Sequence, residues 1–180
     1  MAIMNGSFQT IHIFQIKIKK GDFKTMNISF APRNILQIDN ARIVHRNFSG
    51  VGSKFNREGD RNFSVVIEDE QLAKQLASDG WNVKIKEPRD EGDIPFMFLP
   101  VKIKFNDRGP SVYLKSGDAE PVRLTEDTIS CLDDIDILGV DLDIRPFDWE
   151  VNGKTGRTAY LQSILVTQEI DRFAARFERG

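Results

Sequence analysis

The sequence predicts a mainly β fold: an antiparallel barrel, closed or partly closed, with one internal helix, a short second helix and a C-terminal helix. Three observations lead there. Short runs of β-branched and aromatic residues alternate with polar ones, as half-buried strands do. Glycine and asparagine turn signals separate those runs. Only one stretch among the early strands carries a clear helical stripe. The 180 residues are 40% hydrophobic and 29% charged, which suits one domain with a real core.

Taken in order, Ile11 to Ile18 alternates as a strand, with a parity slip near Phe14 and Gln15 that reads as a bulge. Ile35 to Phe48 reads as a long strand and Asn62 to Ile67 as another. Ser49 to Asp60 between them holds Gly50, Gly52 and Gly59 and reads as a flexible connection. Glu68 to Asp79 is the helix, with Leu72 and Leu76 on one face and Gly80 at the C-terminal cap. Trp81 to Lys86 alternates, and Pro88 to Pro95 is an acidic loop. Phe96 to Phe105 places Val101, Ile103 and Phe105 inward and Lys102 and Lys104 outward. Ser111 to Leu114 and Val122 to Leu124 are shorter strands. Thr125 is the expected N-cap of a short helix to about Leu132, with Glu126 and Asp127 favouring its dipole. Ile137 to Val151 and Arg157 to Thr167 form a hairpin around Asn152-Gly153 and Gly156. Glu169 to Arg179 closes the chain as a helix, with Ile170, Phe173 and Phe177 on one stripe. This pattern suits an OB-like barrel, a scaffold that can bind oligonucleotides on its strands and loops.

Composition removes several classes of chemistry. Cys131 is the only cysteine, so an intramolecular disulfide has no second thiol. His12 and His45 are the only histidines, too few to complete a four-ligand zinc site. There is no phosphate-binding glycine loop, no dinucleotide fingerprint and no nucleophile elbow. The expected catalytic residues, metal ligands and cofactors are therefore none. No run approaches a membrane span, and no secretory signal opens the chain, so a cytoplasmic home without a membrane is expected. A net charge of −2 argues against a uniformly basic surface and leaves room for a local basic groove.

Two segments interleave rings with cations around glycine-rich turns. The first is Arg42 to Phe63, with Arg42, Arg46, Phe48, Lys54, Phe55, Arg57 and Arg61. The second is Ile144 to Tyr160, with Trp149, Lys154, Arg157 and Tyr160. Unpaired bases need flat faces to stack on, and their phosphates need cations, so these residues are the candidate nucleic-acid-binding set. Phe63 begins an apolar strand and is expected in the core. Phe55, flanked by Lys54, Asn56 and Arg57, is expected outside it. A third feature is the acidic stretch from Asp133 to Asp143. Asp141 and Asp143 would leave one strand face together, an arrangement able to hold a divalent cation for phosphodiester cleavage.

From about Asn34 to Thr167 the chain resembles a family of small proteins of tailed phages and prophages, thought to bind single-stranded DNA through an OB-like core. The likeness rests on Ala41-Arg-Ile, Arg46-Asn-Phe-Ser-Gly50, Ser53-Lys-Phe-Asn56, Gly59-Asp-Arg-Asn-Phe63, Asp79-Gly-Trp-Asn82 and Arg145-Pro-Phe-Asp-Trp-Glu-Val-Asn-Gly-Lys154. It implies DNA along Arg46, Phe48, Lys54, Phe55, Arg61 and Trp149. It also implies a sequence-tolerant role in replication or recombination within a bacterial host cell. Many such proteins end in an acidic tail; this chain ends Arg172-Phe-Ala-Ala-Arg-Phe-Glu-Arg-Gly180. Asp90 to Phe96 is similar to the acidic tip of bacterial single-stranded DNA-binding proteins, but it is internal and reads as a loop.

The expected organisation is an N-terminal extension or extra strand over residues 1–25, the binding domain over 26–168 and the terminal helix over 169–180. The apolar stripe of that helix points to a homodimer or higher oligomer. Two alternative functions stand beside the first: a protein-interaction module for a host defence or replication factor, and a metal-dependent nuclease using the acidic stretch.

Overall fold

Along Phe96–Ile103, Met97, Leu99, Val101 and Ile103 are buried while Lys102 is exposed. That alternation makes a strand with one face on the core. The same rule builds most of the molecule. The structure, a computed structural model, describes residues 25–170 and residue 173. Its strands are β1 (Asn27–Ala31), β2 (Ile35–Asp39), β3 (Ile43–Asn47), β4 (Arg61–Val66), β5 (Lys84–Lys86), β6 (Phe96–Ile103), β7 (Ser111–Ser116), β8 (Val122–Leu124), β9 (Ile137–Val151) and β10 (Lys154–Gln168). One α-helix, α1 (Glu70–Ser78), lies between β4 and β5.

These strands form one sheet in the order β1-β2-β9-β10-β6-β4-β3, with β5 beside β6, β7 beside β10 and β8 beside β7. The expectation of an antiparallel barrel needs two corrections. The sheet is mixed, because β6 and β7 both run parallel to β10. They share one of its edges: β6 meets Ala159 and Tyr160, and β7 meets Ser163 to Gln168. A register shift between Leu161 and Ser163 separates the two contacts. The sheet also does not close by strand pairing, since β1 and β3 remain its two ends.

The long strand expected from Ile35 to Phe48 is broken at Asn40, where φ is 53°. Asparagine tolerates this left-handed conformation. The Asn40 amide donates to Asp141 Oδ1 at 2.9 Å, and the Ala41 amide to the Val140 carbonyl at 2.8 Å. The bend lets β2 pair with β9 while β3 pairs with β4.

Phe48 and Phe63 stack in the core, their ring centroids 5.3 Å apart. α1 adds Leu72, Ala73 and Leu76 to the same cluster. Asp69 caps the helix, its carboxylate accepting from the amides of Gln71 and Leu72 at 2.7 and 3.0 Å. The short second helix is a 3-10 turn, Ile129–Asp133, and Thr125 is not its cap. Thr125 instead exchanges hydrogen bonds with Thr128. Glu169 and Ile170 are irregular, and Phe173 lies in a turn. The rest of the expected terminal helix, the strand expected at Ile11 to Ile18, and residues 1–24 lie outside the described residues.

Candidate nucleic-acid interface

The outward face of the sheet gathers the second ring-and-cation segment. Residues directly opposite each other on neighbouring strands share a face. Tyr160 faces Lys102 across β10 and β6, and faces Arg145 across β10 and β9. Phe147 lies opposite Thr158, and Trp149 opposite Gly156. The alternation of β9 therefore brings Arg145, Phe147 and Trp149 out together. The Arg145 guanidinium stands 5.2 Å from the Tyr160 ring centroid, and the Phe147 ring meets Tyr160 edge-on at 6.0 Å. Phe147 is 52% exposed and Trp149 39%. Gly156 makes room for the indole: a Cβ there would come within 2.4 Å of the Trp149 ring.

The first segment arrives from the side. The loop between β3 and β4 folds over the outward edge of β4 and β6, leaving a groove of about 710 Å³. Phe55, Arg57, Asn62, Lys102, Lys104 and Tyr160 line it. The loop expected to be a flexible connection is tied by its own hydrogen bonds. The Gly59 amide donates to the Gly50 carbonyl at 2.8 Å, and the Asn56 side-chain amide reaches the Val51, Arg57 and Asp60 carbonyls at 3.2, 3.1 and 2.8 Å. Gly50 needs to be glycine, because its φ is 73° and an added Cβ would crowd the Gly59 backbone. At the loop's crest Phe55 is 90% exposed, with the Lys54 ammonium 5.6 Å from its ring centroid.

Five candidates lie elsewhere or are already engaged. Phe48 is fully buried against Phe63 and has no face for a base. Arg46 donates from one nitrogen to the Leu132 and Ile135 carbonyls, each at 2.8 Å, and so tethers β3 to the 3-10 turn. Arg61 shares the inward parity of Phe63; its guanidinium turns over Phe105 at 5.8 Å and pairs with Glu126 at 3.0 Å. Arg157 is held by Asp148 through two bonds, at 2.7 and 3.1 Å, and stands 5.3 Å from the Trp81 ring centroid. That hydrogen-bonded pairing lowers the Asp148 pKa and raises that of Arg157. Arg42 is exposed, reaches Glu68 at 3.6 Å and does not line the groove.

Phe55, Arg57 and Tyr160 do meet at the groove, Arg61 lines it while paired with Glu126, and Trp149 and Lys154 lie on the strand face continuing from it. Lys102, Lys104 and Arg145 join them although sequence reasoning did not select them. The signal was present for the lysines, which alternate outward on a strand. It lacked any indication that this face borders a groove. Arg57, Lys102, Lys104, Arg145 and Lys154 form no ion pair among the described residues.

Two carboxylates of the acidic stretch are used by the backbone. Asp133 accepts from the Phe48 and Ser49 amides at 2.7 and 2.9 Å, and Asp141 accepts from Asn40. Burial pushes the Asp143 pKa up, a Ser163 hydrogen bond partly offsets it, and Asp39 adds to the rise. Among the described residues no group of three or more His, Cys, Asp or Glu side chains is placed to hold a metal ion, and no helix is long and apolar enough to cross a membrane.

Over residues 26–179 the chain matches the profile of a family described as a "putative phage ssDNA-binding domain". No curated protein matches its sequence. Among solved structures it is similar to the single-stranded DNA-binding protein of bacteriophage Enc34. The C-terminally truncated form gives a TM-score of 0.48 at 14% identity, covering 88% of this chain and 97% of that one. The form in complex with ssDNA gives 0.47 at 15% identity, covering 88% and 98%.

Proposed function

This chain belongs to the phage ssDNA-binding domain family, and from that premise we propose that it binds single-stranded DNA on the outward face of β6, β9 and β10 and in the groove beside them. One observation carries the assignment of the surface: exposed or half-buried rings and unpaired cations from three distant parts of the chain converge there. Phe55, Tyr160, Phe147 and Trp149 supply flat faces, while Arg57, Lys102, Lys104, Arg145 and Lys154 supply positive charge. Bases stack on rings whatever their identity, so binding is sequence-tolerant. The role is binding, with no catalytic step assigned, in replication or recombination of a phage or prophage within the host cytoplasm.

An OB-like reading of the fold supports the same surface. β2 pairs with β9 and β3 with β4, and the Asn40 bend joins these two consecutive strands, so the open sheet curls as an OB-like one does. In OB-folds oligonucleotides lie on a strand face and on the loops that flank it. The tied β3–β4 loop and the Asn152-Gly153 turn occupy such flanking positions.

Labelled poly-dT and a duplex of equal length, titrated across a salt series, test the proposal. Single strands are expected to bind more tightly. The five unpaired cations of this face account for a slope of log affinity against log salt of about 3.5, at about 0.7 per phosphate neutralised. Equal affinity for the duplex, or no binding of long poly-dT at low salt, overturns it.

A further inference from the structure

The outward face of β6 does not end at the groove. Phe96 and Phe98 have the same parity as Lys102 and Lys104, and both rings are half-buried while the inner face is filled by Met97, Leu99 and Val101. β5 lies beside them. Lys84 is directly opposite Phe98, and Lys86 directly opposite Phe96, so all four side chains leave the same face. From β3 an exposed His45, at φ 52°, brings its ring edge-on to Phe98 at 5.1 Å and to Phe96 at 6.2 Å. Its Nδ1 lies 3.3 Å from Ser64 Oγ, which orients the ring. Phe96 and Phe98 are themselves 5.4 Å apart. Lys84 and Lys86 are exposed and make no ion pair among the described residues.

We propose that His45, Phe96 and Phe98, with Lys84 and Lys86, form a second stacking station for the same single strand. This rests on the single-strand reading above. An unpaired base lies against Phe98 and His45, and the two lysines hold the phosphates on either side of it. Phe98 is four residues from Lys102 along β6, about 13 Å at the usual rise of a strand. A strand leaving the groove at Lys102 therefore reaches the station along one continuous face. The path ends there, because the next loop carries Glu87, Asp90, Glu91 and Asp93 against Arg89 alone, and that charge repels phosphate. A neutral or basic partner would have no use for the two lysines, whereas a polyanion does.

The test uses the full chain and two dT oligonucleotides, of about 4 and about 16 nucleotides, the two ends of the site sizes seen per OB-fold. Phe98→Ala is expected to weaken the long oligonucleotide about 5- to 150-fold and leave the short one, held by the groove, unchanged. Because Phe98 is half-buried, a second variant guards against misfolding. Lys84→Gln with Lys86→Gln changes only exposed side chains, and it is expected to reduce the salt slope for the long oligonucleotide by about 1.4. Long-oligonucleotide affinity and salt slope unchanged in the lysine variant overturn the station and leave the patch to a protein partner. If the unaltered chain binds neither oligonucleotide, the single-strand reading itself fails.

Discussion

Phe55 and Phe63 belong to the same ring-rich segment, yet alanine at each should fail in opposite ways. Phe63 is 1% exposed and stacks on Phe48 at 5.3 Å. Removing a ring so enclosed leaves a cavity that costs about 3–5 kcal/mol. For a chain of this size each kcal/mol lowers Tm by about 2–4 °C, so Phe63→Ala should melt about 6–20 °C below the unaltered protein. Phe55 is 90% exposed and touches little beyond the Lys54 ammonium at 5.6 Å. A cation–ring contact at such a site is worth only about 0.5–1 kcal/mol, so Phe55→Ala should shift Tm by no more than about 4 °C. Its cost appears on binding instead: loss of a stacking ring removes about 1–3 kcal/mol, about 5- to 150-fold in affinity for poly-dT. Circular dichroism melting and fluorescence anisotropy, run on both variants well below their Tm, separate the two effects. A Phe55→Ala protein that melts as early as Phe63→Ala, or that binds poly-dT as the unaltered chain does, refutes the assignment.

Three further outcomes follow from particular contacts. Arg46→Ala strips the Leu132 and Ile135 carbonyls of their donor; it should cost about 1.5–3 kcal/mol of stability in denaturant titration while leaving poly-dT affinity near that of the unaltered chain. Gly156→Ala would place a Cβ 2.4 Å from the Trp149 ring; the indole must swing away, so tryptophan emission should shift and affinity should fall without a comparable loss of Tm. Asp143 has its pKa raised above 3.8, chiefly by burial; its ionised form therefore costs native stability at neutral pH, and that cost is relieved as pH falls through the raised value. Asp143→Asn should melt higher than the unaltered protein at neutral pH, with the gap narrowing in acid, and a constant gap across the pH range would contradict the sign.

The elements visible in the sequence are those whose pattern is local. The strands of the β9–β10 hairpin follow from alternation around Asn152-Gly153, and α1 from Leu72 and Leu76 ahead of Gly80, although it starts at Glu70, after the Asp69 cap, and not at Glu68. What the sequence concealed depends on distant partners. Phe48 sits among Arg46, Asn47 and Ser49 and resembles a loop ring until the β3–β4 loop and Phe63 enclose it. The break at Asn40 serves hydrogen bonds to Val140 and Asp141, far along the chain. The parallel contacts of β10 with β6 and β7 likewise join segments that no local turn connects.

The same distinction decides which cations are free to meet phosphate. Arg46, Arg61 and Arg157 stand beside rings and glycines, the context that marks a nucleic-acid surface in a sequence. In the fold each is engaged, Arg46 by two carbonyls, Arg61 by Glu126 and Arg157 by Asp148. Recruiting Arg61 or Arg157 to DNA would mean breaking an existing ion pair, which subtracts from the gain. Lys102 and Lys104 have no such partner among the described residues and line the groove that Phe55 and Tyr160 flank. Local density of Arg and Lys therefore ranks these positions poorly. Availability depends on whether the fold brings a carboxylate or carbonyl to the cation, and at β6 it brings aromatic rings instead.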